Sequence, residues 1–252
     1  MRLPRISICL LCALPALAFS APPASALENP EYIRVNWGVL GESFLDPELT
    51  TPGSGGGSGI RASPFSVNFN LGAGISMPFV TGSNWAFAPT ADLYYYNAAY
   101  TTDEQPVAVD ETISIASVFG LLLDASVAYS YPVNDKFNLA ASAGLCIDAR
   151  VAFTNSSGDS TGTNSINSYF WSQGRFFSPS TAIRGEYKLT DRVGFGFTGR
   201  VLWPIYNLWT NEGFGFFDQT KYIFDLVIRY KLGGKLTAPA PEAAEPPPPA
   251  AP

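Results

Sequence analysis

From Phe65 to Phe79 the chain reads FSVNFNLGAGISMPF. Phe65, Val67, Phe69, Leu71, Ala73, Ile75, Met77 and Phe79 hold one parity; Ser66, Asn68, Asn70, Gly72, Gly74, Ser76 and Pro78 hold the other. Side chains alternate faces along a strand, so this pattern predicts a long strand with one apolar face and one small, polar face. The same single-parity pattern recurs over 33–44, 85–98, 112–131, 137–153, 178–189, 193–207 and 221–232. It is cleanest at 137–153, where Phe137, Leu139, Ala141, Ala143, Leu145, Ile147, Ala149, Val151 and Phe153 alternate with Asn138, Ala140, Ser142, Gly144, Cys146, Asp148, Arg150 and Ala152. A helix needs apolar residues three and four apart, and this register does not supply them.

The connections alternate in length. TGSNW (81–85), PVNDK (132–136) and TDR (190–192) are tight turns, whereas 45–64, 99–111, 154–177 and 208–220 are long. Tight turns at one end and long loops at the other predict an all-β fold: an eight-stranded antiparallel up-and-down transmembrane β-barrel with both termini on the periplasmic side. A soluble, lipocalin-like barrel is the competing architecture, with the apolar face turned inward.

Charge placement separates the two. Arg34, Glu42, Asp92, Asp124, Asp148, Arg150, Arg184, Glu186, Lys188, Arg200, Asp225 and Arg229 all fall on the polar parity of their strands. None shares a face with Phe69, Leu121, Ile147, Phe197 or Leu226. Hydrocarbon imposes that exclusion, since a cationic side chain at mid-plane on the lipid face costs about 2–4 kcal/mol. Counted up from the tight turns, Asp92, Asp124, Arg184, Arg200 and Asp225 rise about 13–18 Å, near the middle of the apolar band. Opposite charges in so confined a lumen should pair. Asp92, Asp124, Arg184, Arg200, Asp225 and Arg229 are therefore the expected lumen network. It can act as a plug, or as a gate that opens when pairs exchange. Aromatic residues cluster near both strand ends, Phe79, Trp85, Tyr129, Tyr187 and Tyr230 by the tight turns and Phe153, Trp203, Tyr206 and Tyr222 by the long loops, as interfacial girdles do.

Composition agrees with a membrane setting. Hydrophobic residues make up 46% and charged residues only 14%, against a usual ~25% charged. The net charge of −6 gives no basic footprint for nucleic acid. Residues 1–26 read as a cleaved signal peptide: Arg2 and Arg5, an apolar run, then Ala24-Ser25-Ala26. Residues 27–235 form the expected barrel. Residues 236–252 are a Pro/Ala-rich stretch expected to be a disordered periplasmic tail.

The chain contains no histidine, which removes Ser/His hydrolysis and His-containing metal sites. Cys146, on the lumen parity, reads as a small filler. GSGGGSG (53–59) lacks the Lys-Ser/Thr of a phosphate cradle. No catalytic residue, metal or cofactor is expected, and the chain is expected not to be an enzyme. The long loops carry the remaining candidates, Tyr169, Phe170, Trp171, Trp209, Phe214 and Phe216. These side chains can anchor a partner or pack on one another. The expected partners are outer-membrane lipid and an extracellular partner or small solute, with the barrel acting as a monomer.

The alternating strands, export signal, loop asymmetry and Pro/Ala end together resemble the small outer-membrane barrel superfamily of OmpA N-terminal, OmpX and OmpW types. The resemblance covers about 31–232. YIRVNWGVL (Tyr32–Leu40) looks like the first strand of OmpW-type proteins. That likeness implies a narrow path for ions or small hydrophobic solutes. The first expectation for function is a role in surface interaction and envelope structure, with the charged lumen plugged; the narrow pore is the alternative.

Overall fold

The computed structural model describes residues 30–43, 68–100, 114–154, 160–210, 215–217 and 219–232. The signal peptide, the tail and Phe214 lie outside the described residues. The strands are β1 (Tyr32–Glu42), β2 (Asn68–Pro78), β3 (Trp85–Phe87), β4 (Thr90–Tyr100), β5 (Ser114–Pro132), β6 (Phe137–Thr154), β7 (Phe177–Lys188), β8 (Val193–Leu202) and β9 (Lys221–Lys231). One helix, α1 (Ser160–Trp171), lies between β6 and β7, and a 3-10 turn (Ile205–Leu208) follows β8.

β3 and β4 are one strand interrupted at Ala88–Pro89. Phe87 faces Val127 and Thr90 faces Asp124, so the register on β5 runs straight through the gap. Pro89 has no N–H to give the ladder, yet its carbonyl still accepts from Ile75 N (3.1 Å) and Ala88 N still donates to Ser126 O (2.8 Å). The sheet is therefore eight strands round, each antiparallel to its neighbours. It closes where β1 pairs with both β9 and β2. Closure leaves no strand edge within the ring.

Parity decides the faces as the sequence predicts. Phe69, Leu93, Ile183 and Phe224 point outward and are each more than 60% exposed. Arg34, Asp92, Asp124, Asp148, Arg150, Arg184, Glu186, Arg200 and Asp225 point inward and are buried. Trp85, Tyr129, Tyr131, Tyr187, Phe195 and Tyr230 stay exposed near the tight turns, where an interfacial girdle belongs. Two girdle expectations are corrected. Phe79 is buried in the turn that follows β2, and Tyr206 is buried because β8 ends at Leu202 and the chain turns at Pro204 into the 3-10 segment.

The lumen differs from the small, polar interior that the alternation predicts. Toward the long-loop end Leu40, Val118, Leu122, Cys146, Leu202 and Ile223 form a dry core with Tyr94 and Tyr96. Ile166 and Phe170 of α1 descend into it and close the mouth. The helix also solves an edge problem. β5 and β6 run to 19 and 18 residues, but β7 meets β6 only as far as Ile147↔Phe177. The remaining rim of β6 is paired by side chains instead. Asn167 Nδ2 donates to Ala152 O (3.1 Å), Ala152 N donates to Asn167 Oδ1 (2.8 Å), and Trp171 Nε1 donates to Arg150 O (3.1 Å). A carboxamide thus stands in for the missing strand and keeps the edge from other pairings.

Candidate functional site

Charged side chains from every strand but β2 and β3 face the lumen, and they meet in three tiers. The outer tier centres on Asp148 of β6. Its Oδ2 accepts from Lys221 Nζ (2.6 Å) and lies 3.3 Å from Arg150 Nε, while Tyr94 donates its hydroxyl to Oδ1 (2.6 Å). Arg150 lies over the Phe170 ring, 4.3 Å from its centroid, and donates to Arg175 O (2.9 Å). The plug helix is therefore seated on this tier by stacking through Phe170, and the turn just after it by the hydrogen bond to Arg175.

The middle tier gathers three carboxylates round one guanidinium. Arg200 reaches Asp92 at 2.5 Å, Asp124 at 3.6 Å and Asp225 at 3.8 Å, and donates to Thr90 Oγ1 (3.0 Å). The surplus negative charge is spread over neutral donors. Asn36 donates to Asp92 and to Asp225, the latter at 3.4 Å; Asn70 donates to Asp225 (2.7 Å). Ser126 and Ser180 both donate to Asp124 Oδ1, at 2.7 and 2.8 Å. Desolvation of buried carboxylates is costly, and hydrogen bonds to the ionised form offset it. Among these residues lies a cavity of about 30 Å³, enough for water and little more. The lumen is closed at mid-plane.

The periplasmic tier holds Arg229, which donates to Glu186 Oε2 (2.7 Å), and Arg184, 3.7 Å from Glu186 Oε1. Arg34 donates to Ile75 O (2.9 Å). Beneath this tier the barrel opens into a vestibule of about 330 Å³ walled partly by the tight turns.

The six residues predicted as a lumen network thus divide. Asp92, Asp124, Arg200 and Asp225 come together, whereas Arg184 and Arg229 sit a tier below. Tyr94, Asn36, Asn70 and Lys221 complete the tiers and were not singled out by sequence reasoning. Lys221 shares its parity with Asp225 and Arg229, and Tyr94 shares that of Asp92, so the signal was present.

The loop aromatics divide as well. Trp171 and Trp209 are about half exposed, at 46% and 54%, and stand on one surface, where Trp209 Nε1 donates to Gln173 O (2.8 Å) and Trp171 packs on Phe176. Phe216 is partly exposed against Phe217. Phe170 is not a surface residue: it is buried in the plug, because α1 turns that face into the mouth. Tyr169 packs at the edge of the same core with Arg175 over its ring at 4.1 Å. Beyond the strand ends, burial holds the Tyr206 hydroxyl well above the usual phenol range, so it remains the donor to Gln219 Oε1 (2.9 Å).

No family model matches the sequence, and no curated protein does. Solved structures do. Neisserial surface protein A aligns with a TM-score of 0.45 and 11% identity, over 81% of this chain and all of that one. The outer membrane protein OprG from Pseudomonas aeruginosa gives 0.45 and 10%, over 80% and 97%. Ail of Yersinia pestis gives 0.38 and 6%, over 81% and 99%. This chain's closed ring, apolar exterior and paired charged interior make it a small eight-stranded barrel of the bacterial outer membrane.

Proposed function

We propose that the barrel is a closed, non-enzymatic anchor that holds a surface-interaction platform outside the outer membrane and contributes to envelope structure. The observation that carries this is the double seal of the lumen: a mid-plane cavity of about 30 Å³ beneath a mouth filled by Ile166 and Phe170. A lumen so filled serves rigidity better than transport. The exposed Trp171 and Trp209, held on a short helix and a bonded loop, are the anchors such a platform would use.

One feature favours a second reading, a narrow pore for ions or small hydrophobic solutes. Arg200 lies near three carboxylates and so has alternative partners to exchange among. Planar-bilayer recording of refolded protein separates the two. The anchor reading expects silence at all voltages, together with adhesion of displaying cells to a matrix-coated surface. Trp171→Ala with Trp209→Ala should weaken that adhesion by about tenfold or more, as loss of an aromatic hot spot does. Steady current through the unaltered barrel would favour the pore instead.

A further inference from the structure

The periplasmic vestibule carries more positive charge at its floor than the fold needs. Arg34, Arg184 and Arg229 all line it, and Glu186 is the carboxylate set among them. Glu186 is taken first by Arg229 at 2.7 Å and only loosely by Arg184 at 3.7 Å. Among the described residues no carboxylate pairs with Arg34, whose Nη2 donates to the Ile75 carbonyl. The side chains are nonetheless buried, at 5% exposure for Arg34 and 8% for Arg184. The acids above them are committed elsewhere: Asp92, Asp124 and Asp225 face Arg200, two asparagines and two serines. The rim adds no net acid: Glu31 and Asp135 on its lining are matched in number by Lys136 and Lys188, and Lys231 also pairs with Glu31.

A guanidinium has five N–H donors in a planar fork that matches an oxyanion. Two such forks, mostly unspent, stand at the closed end of a 330 Å³ recess. Its low-dielectric walls strengthen any charge placed there. We infer that this vestibule is a binding site for a small periplasmic oxyanion, a phosphate or a carboxylate, held by Arg34 and Arg184. Arg229 is the third cation, and Glu186 is the built-in competitor that limits affinity. The tight-turn end faces the periplasm, so the ligand enters from there, with no passage through the sealed lumen.

The test is calorimetric titration of inorganic phosphate, and separately of succinate, into the full chain refolded in an uncharged detergent at pH 7 and low salt. Saturable binding of one anion per barrel is expected. Arg34→Gln or Arg184→Gln should weaken it by about tenfold or more, as expected for loss of a charge-assisted pair. Arg192→Gln, on an exposed turn, should leave it unchanged. Glu186→Gln should tighten it several-fold, and this variant keeps the proposal testable if an arginine variant fails to refold. Whichever of phosphate and succinate binds more tightly identifies the source. No saturation by about 10 mM of either anion, binding indifferent to Arg34 and Arg184, or weaker binding in Glu186→Gln would each overturn the assignment.

Discussion

Gly120 shows how a single hydrogen atom decides what fits in this lumen. It faces Tyr94 across the β4–β5 ladder, and a Cβ there would overlap the phenol ring. The Tyr94 ring lies over this position, so the residue here must be small. Gly72 receives the Asp92 carboxylate in the same way. Gly120→Ala should push Tyr94 off Asp148, which then loses a 2.6 Å hydrogen bond. Overpacking of this kind costs about 1–3 kcal/mol. Gly41→Ala is the matched control: nothing lies within 4 Å of its Cβ. It should be neutral or slightly stabilising, within about 1 kcal/mol, since glycine is a poor strand residue. Urea unfolding of the two variants in micelles checks both signs, and equal destabilisation would mean that the glycines serve the backbone rather than the side chains opposite.

At the scale of elements, α1 does for β6 what another strand would do. If Asn167 pairs the rim of β6, Asn167→Ala should cost about 1–3 kcal/mol, the penalty for leaving part-buried backbone groups unmade. The amide of Ala152 should also exchange its hydrogen markedly faster, as read by NMR, while amides in the β8–β9 ladder keep their protection. Uniform loss of protection would point to global destabilisation instead. The strands were legible in sequence because one parity meets lipid, and each strand repeats that demand. The helix was not. STGTNSINSYFW is built of poor helix formers, and its buried pair, Ile166 and Phe170, is a single i,i+4 spacing in a polar run. The break at Ala88–Pro89 was missed for the opposite reason: alternation survives the proline, and only the ladder hydrogen bond is lost. Parity likewise showed which charges point inward, but not which meet. Asp92 and Arg200 are brought together across the lumen by ring closure and strand tilt, which no local pattern encodes.

Taken as one object, the barrel has two seals in series, made of different materials. The outer seal is apolar, with Ile166 and Phe170 of α1 set among Leu122, Leu202 and Ile223. The inner seal is ionic, with Arg200 held by Asp92, Asp124 and Asp225. Barriers in series conduct only when both are open, so neither single lesion should give current. Arg200→Ala removes the guanidinium and leaves three carboxylates facing one another, at a cost of about 3–5 kcal/mol. Water and cations can then reach mid-plane from the periplasmic vestibule, but the helix still bars the mouth. Ile166→Ala with Phe170→Ala loosens the helix, but Arg200 still fills the constriction. Combining all three should produce steady current in planar bilayers, and that current should select for cations, because the opened constriction is lined by uncompensated acids. Current from Arg200→Ala alone would show that the helix does not seal. Anion selectivity in the triple variant would show that the arginines below, and not the acids at mid-plane, set the field along the axis.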